Sequence, residues 1–134
     1  MTRLLPAALC AAMLAAIANV RAVDPPAPKY EMTTYVVGLL YRGPNWTPES
    51  TPETQKIQDG HMANIQKMHA VGKLAVAGPF SDDGDLRGIF IFQNTTLDEA
   101  RALADQDPAV QAGRLRFDLH PWFAAKGLKV DPPK

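Results

Sequence analysis

Three short runs, Met32–Tyr41, Leu74–Ala77 (LAVA) and Gly88–Phe92 (GIFIF), are apolar on both of their alternating faces, and this limits the folds open to the chain more than any other feature. Side chains along a strand point to opposite faces of its sheet, so Tyr35/Val37/Leu39/Tyr41 and Thr34/Val36/Gly38/Leu40 both need cover. Only two helical segments can supply it. The first is Pro52–Val71, with Thr51 as N-cap and Pro52 as its first residue. The second opens on the capping box Thr96-Leu-Asp-Glu99 and places Leu97, Ala100, Leu103 and Ala104 on its inner face. Right-handed crossovers put both helices on one face of the sheet. The other face is left for a second copy of the chain, related by a two-fold axis. The expected fold is therefore α+β and ferredoxin-like, βαββαβ: a four-stranded antiparallel sheet, two helices on one face, and a homodimer partner on the other.

The last strand, Arg114–Trp122, shares in this. Leu115, Phe117 and Leu119 fall on one face, and Arg116, Asp118, His120 and Trp122 on the other. If the first set meets the helices, His120 and its neighbours line a polar pocket, or form a solvated face or one salt-bridged between subunits, the more common outcome. Asp107-Pro108 stops the second helix and leads through Ala112-Gly113 into this strand.

The 134 residues allow one domain, and the first 22 are not part of it. Arg3 supplies a positive start, Leu4–Ala18 is an apolar run broken by Pro6, and Val20-Arg21-Ala22 offers the small residues of a cleavage site. Such a leader is too short for a membrane span. Cys10 does not read as a lipidation site, because Leu9 precedes it where a small residue is needed. Cleavage after Ala22 removes this single cysteine, so the exported chain must be stable without disulfides. Localisation is expected to be secreted, in the periplasm, with no membrane association after cleavage. Loss of Arg3 and Arg21 leaves 12 basic against 14 acidic side chains, with no basic stripe, which excludes nucleic acid as a partner. Residues 23–29, VDPPAPK, form a proline-rich linker, the domain spans 30–124, and 125–134 is a tail with no expected structure.

Chemistry concentrates in Gly60–Gly88. Wound as a helix, Pro52–Val71 places Ile57, Ile65, Met68 and Val71 in one sector with His61 near its middle, so the imidazole points inward. The helix from Val71 back to His61 covers roughly 15 Å, and the strand from Leu74 to Pro79 roughly 16 Å. The strand's end and His61 come level. This sets the loop Phe80–Asp85 beside the imidazole, with Asp82 and Asp83 both open as its partner. A histidine oriented by a carboxylate is a general acid or base at neutral pH. The competing reading is a core histidine that donates to a backbone carbonyl, next to an Asp-Asp-Gly-Asp turn.

Arg42–Glu53 is long for a loop in so small a domain, and its Trp46 is either a pocket wall or a cover over a sheet edge. His69 lies about 80° around the helix from His61 and belongs to the margin of the core. The eight-residue spacing of these histidines does not suit a shared metal ion, and no calcium-loop order occurs among Asp82, Asp83 and Asp85. No metal and no cofactor is expected.

The run His61-Met-Ala-Asn-Ile-Gln-Lys-Met-His-Ala-Val-Gly72-Lys-Leu74, then Gly78-Pro79-Phe-Ser-Asp82 and Gly88, resembles the YciI-like (YCII-related) family. Ala100-Arg-Ala, Asp107-Pro108, Ala112-Gly113 and Pro121-Trp122 extend the resemblance over Tyr30–Phe123. It implies the ferredoxin-like fold, a dimeric α+β barrel, and a site made of His61 and Asp82, the aspartate after Gly-Pro. Asp82 is preferred to Asp83 on this register alone. Trp46, Phe80, Asp83 and His120 are the candidate binding residues. The functional expectation is a cofactor-independent acid/base enzyme, a lyase of dehydrochlorinase type or a hydrolase, acting on a small organic molecule. Two alternatives stand beside it: a non-catalytic periplasmic binding or accessory module, and a purely structural dimer.

Overall fold

In a computed structural model of the chain, which describes residues 26–27 and 29–131, seven elements follow one another. They are β1 (Met32–Arg42), α1 (Pro52–Ala70), β2 (Leu74–Pro79), β3 (Leu86–Phe92), α2 (Leu97–Asp105), α3 (Pro108–Gln111) and β4 (Leu115–Ala125). The expected leader, residues 1–22, lies outside the described residues, as do parts of the linker and the last three positions.

The sheet order is β2-β3-β1-β4, and every neighbouring pair is antiparallel. This is the ferredoxin-like α+β arrangement. β1 and β3 are the central strands, paired Val37 to Ile91 and Leu39 to Ile89. The alternation that made both faces apolar decides which residues are fully covered. Val36, Leu40, Phe90, Phe92 and Leu74 are buried with Met68 of α1 and Ala100 of α2, and Ile65, Leu97, Leu103, Leu115, Phe117 and Leu119 pack around them. Phe90 sits edge-on to both Phe92 and Phe117, with ring centroids 5.9 and 5.1 Å apart, a favoured aromatic geometry.

The opposite face carries no helix. Val37, Leu39, Ile89 and Ile91 lie there half-buried. Tyr35 is buried on that side because Trp122 leans on its ring, 5.9 Å between centroids, and the chain after β4 folds back over it. Its hydroxyl donates to the Ala125 carbonyl and accepts from Leu128 N–H, and Lys126 N–H bonds the Glu31 carbonyl. The stretch after residue 124 is thus tied down as far as Leu128, unlike the unstructured tail expected.

Both helix starts are as read. The Thr51 hydroxyl accepts from Thr54 N–H while the Thr54 hydroxyl accepts from Thr51 N–H, and Thr96 and Glu99 exchange the same pair of bonds. Two local readings are corrected. Val71 is 62% exposed rather than on the inner sector, because it caps α1 where the chain swings through the positive φ of Gly72, +74°. Asp107-Pro108 does not merely end α2; it opens α3, with the Asp107 carboxylate capping Ala109 N–H at 2.9 Å.

Candidate functional site

The site is built where α1 crosses α3. Gly60 lies in the middle of α1, a position where glycine costs about 1 kcal/mol relative to alanine. A Cβ at Gly60 would stand 3.0 Å from Cγ of Pro108, so the missing side chain lets α1 settle onto the start of α3. The next residue, His61, then meets Asp107, 46 positions along the chain. Asn64, three residues on and on the same helix face, reaches the same carboxylate.

Nδ1 of His61 lies 2.9 Å from both Oδ1 and Oδ2 of Asp107, Asn64 Nδ2 donates to Oδ2 at 2.9 Å, and Ala109 N–H donates to Oδ1. Asp107 is fully buried and His61 is 7% exposed. Burial by itself pushes the Asp107 carboxyl up; the hydrogen bond and charge of His61, with the Asn64 amide and the Ala109 N–H, outweigh it and hold the group below the ordinary aspartate range. Asp107 is accordingly an anion, and an anion fixes the imidazole with its proton on Nδ1. Nε2 makes no hydrogen bond to protein among the described residues. The ring also stacks on Phe90, 5.8 Å between centroids and 21° between planes.

His61 forms part of the wall of a cavity of about 350 Å³ between α1 and the end of the sheet. Gln58, Met62 and Ile65 line it from α1, Ala77, Gly78 and Pro79 from β2, Arg87, Gly88 and Phe90 from β3, and Leu40, Trp46, Arg114 and Leu115 close the rest. The strand's end does come level with His61, as the lengths of helix and strand require. The loop beyond it goes elsewhere. Asp83 pairs with Arg42 at 2.7 Å and approaches Arg87 at 3.6 Å, while Arg42 N–H bonds the Asp85 carbonyl, so the hairpin leans over the end of β1. Asp82 is exposed, its carboxylate over Gly84 and its carbonyl accepting from Arg87. Among the described residues Asp107 is the one carboxylate bonded to the imidazole, which corrects the pairing with Asp82 or Asp83.

The binding candidates divide. Trp46 is a wall of the cavity, its ring resting on the Arg42 guanidinium 3.9 Å from the centroid. Phe80 is 39% exposed and outside the cavity lining; its N–H bonds the Arg87 carbonyl to close the β2–β3 hairpin. His120 lies opposite Val37 on the helix-free face, away from His61. His69 bonds through Nδ1 to the Leu74 carbonyl at 3.0 Å, a structural link between α1 and β2. No group of three or more potential metal-binding side chains occurs among the described residues.

Asp107 and Asn64 were missed as site residues. Asn64 carried a signal, since it falls in the inner sector of α1 beside Met68. Asp107 carried only the Asp-Pro helix-start pattern, which says nothing about what reaches the carboxylate from outside.

Fold and site together define a small ferredoxin-like domain with a carboxylate-backed histidine at the wall of a cavity of about 350 Å³. The chain belongs to the family of the YCII-related domain, whose family model matches residues 35–122. No curated protein matches it. Among solved structures it is similar to 5-chloro-2-hydroxyhydroquinone dehydrochlorinase (TftG) from Burkholderia phenoliruptrix AC1100, in complex with 2,5-dihydroxybenzoquinone, at 23% identity and a TM-score of 0.46. That match covers 67% of this chain and 93% of the other.

Proposed function

We propose that the protein is a cofactor-independent acid/base enzyme, of lyase or hydrolase type, in which His61 exchanges a proton with a small organic molecule bound in the cavity. The observation that carries this reading is the bidentate contact of Asp107 with Nδ1, which leaves Nε2 without a protein partner on a ring that lines the cavity. With the proton held on Nδ1, Nε2 presents a lone pair. In an elimination it takes a proton from carbon, the C–H electrons form the new double bond, and the leaving group departs with its bonding pair. The imidazolium so formed is stabilised by Asp107, and Asn64 keeps that carboxylate in place. Asp107 is a positioning residue in this scheme.

Export to the periplasm is part of the same proposal and rests on the leader read in residues 1–22. So is a homodimer through the helix-free face. Its support is the half-buried apolar centre Val37, Leu39, Ile89 and Ile91, which no helix covers.

A second reading is a binding module without turnover, since the stacking of His61 on Phe90 also suits a fixed hydrogen-bonding wall. His61→Asn separates the two. The amide retains a donor for Asp107 but has no basic nitrogen. Turnover lost with ligand affinity kept supports the enzyme; affinity and function lost together support the binder.

A further inference from the structure

We infer that the cavity selects a small planar anion, an aromatic carboxylate or phenolate, whose charge is held at Arg114 while its ring lies among Phe90, Trp46 and Met62. This rests on the reading of the cavity as a ligand site, and adds the chemical class of what enters it.

The charges around the cavity are one-sided. Its lining contains Arg87 and Arg114 beside His61, and no aspartate or glutamate; Arg87 turns Nη1 to the Asp82 and Gly84 carbonyls. Arg114 is fixed by Thr47, through Nη1 to the hydroxyl and Nη2 to the carbonyl, both at 3.0 Å. Those bonds orient the guanidinium without neutralising it, and they leave several of its five N–H donors free. Among the described residues no carboxylate forms an ion pair with Arg114. Glu49 lies with it along a shallower hollow on the outer side. Arg87 is partly compensated, since it shares Asp83 with Arg42. The remaining nearby carboxylate, Asp107, is buried behind His61 with its oxygens occupied. A cleft lined by one sign of charge over apolar walls concentrates ligands of the opposite sign.

Apart from Gln58, the remaining side chains of the lining are apolar. Leu40, Met62, Ile65, Phe90, Trp46 and Leu115 give the body of a ligand a hydrophobic bed, and about 350 Å³ is the lower end of the range for small-molecule sites. The volume, the aromatic walls of Phe90 and Trp46 and the charge together suit one substituted ring carrying a negative group.

Benzoate, benzamide and benzamidinium share a ring and differ in charge. We would titrate each into the protein and follow the NMR signals of the His61 imidazole and the Trp46 indole. Benzoate is expected to shift both with at least about tenfold higher affinity than benzamide, with benzamidinium weaker still, and the benzoate preference should shrink as sodium chloride is raised. Arg114→Gln should abolish the preference, and Arg114→Lys should retain part of it. Equal affinity for benzoate and benzamide in the unmodified protein would overturn the anion selection while leaving the cavity as a ligand site. Failure of all three compounds to move either signal would overturn both. Should Arg114→Gln loosen the Thr47 loop, the charge series and its salt dependence in the unmodified protein decide the matter without it.

Discussion

His61 and Asp107 lie 46 residues apart in the chain, yet Nδ1 of one stands 2.9 Å from both carboxylate oxygens of the other. The contact joins α1 to the start of α3, beside the Asn64–Asp107 hydrogen bond and the close approach of Gly60 to Pro108. The same carboxylate caps α3 and orients the imidazole.

Removing that carboxylate strands three donors, on His61, Asn64 and Ala109. Asp107→Ala is expected to lower unfolding free energy by about 3 kcal/mol, combining the lost cap with buried groups left unpaired. Asp107→Asn keeps a capping oxygen and should cost about half as much. Urea denaturation of the two variants measures both.

Acid should weaken the fold through the same group. The Asp107 carboxyl is held below its ordinary value in the folded protein, so the folded state binds fewer protons than the unfolded chain. Its contribution is complete above the unfolded value of about 3.9 and is lost as pH falls through the lower, folded value. Denaturation midpoints measured between pH 6 and pH 2.5 should therefore fall less steeply for Asn64→Ala, which removes one of the bonds that depress this group, than for the unmodified protein.

Gly60→Ala tests the approach of the helices. The gain in helix propensity, about 1 kcal/mol, is offset by a methyl group 3.0 Å from Pro108, so stability should change by less than about 1 kcal/mol. The His61 Nδ1–H proton resonance should nevertheless shift, since α1 must lift from α3. An unchanged resonance would mean that Gly60 does not set this distance.

The helix-free face gives the proposed dimer its own test. Ile89 pairs with Leu39 at the centre of that face, outside the helix-covered core. Ile89→Glu is expected to convert a sedimenting dimer into a monomer with unchanged far-ultraviolet circular dichroism. If the unmodified protein sediments as a monomer at micromolar concentration, the face has another role.

Much of the fold was legible because each signal was local. Period-two apolar runs, the Thr51-Pro52 start and the Thr96–Glu99 box each fix an element without reference to the rest of the chain, and the shortage of helices then fixed the layering. The inward direction of His61 was legible for the same reason. Its partner was not. Counting residues along α1 and β2 brought Pro79 level with His61, but the path of the next loop depends on Asp83 meeting Arg42, a contact across 41 residues. Asp107 reaches the imidazole only because α3 forms and Gly60 has no side chain, and neither condition has a periodic signature. The sequence left Trp46 open between pocket wall and edge cover; in the structure it lies along the cavity with the Arg42 guanidinium against its ring.

The most direct test of the account is the tautomer of His61, read from the ring ¹⁵N shifts and long-range ¹H–¹⁵N couplings of the neutral imidazole. The account predicts a protonated Nδ1 and a bare Nε2, unchanged in Asp82→Asn and lost or mixed in Asp107→Asn. A proton on Nε2 in the unmodified protein, or a response to Asp82→Asn but not to Asp107→Asn, would contradict it.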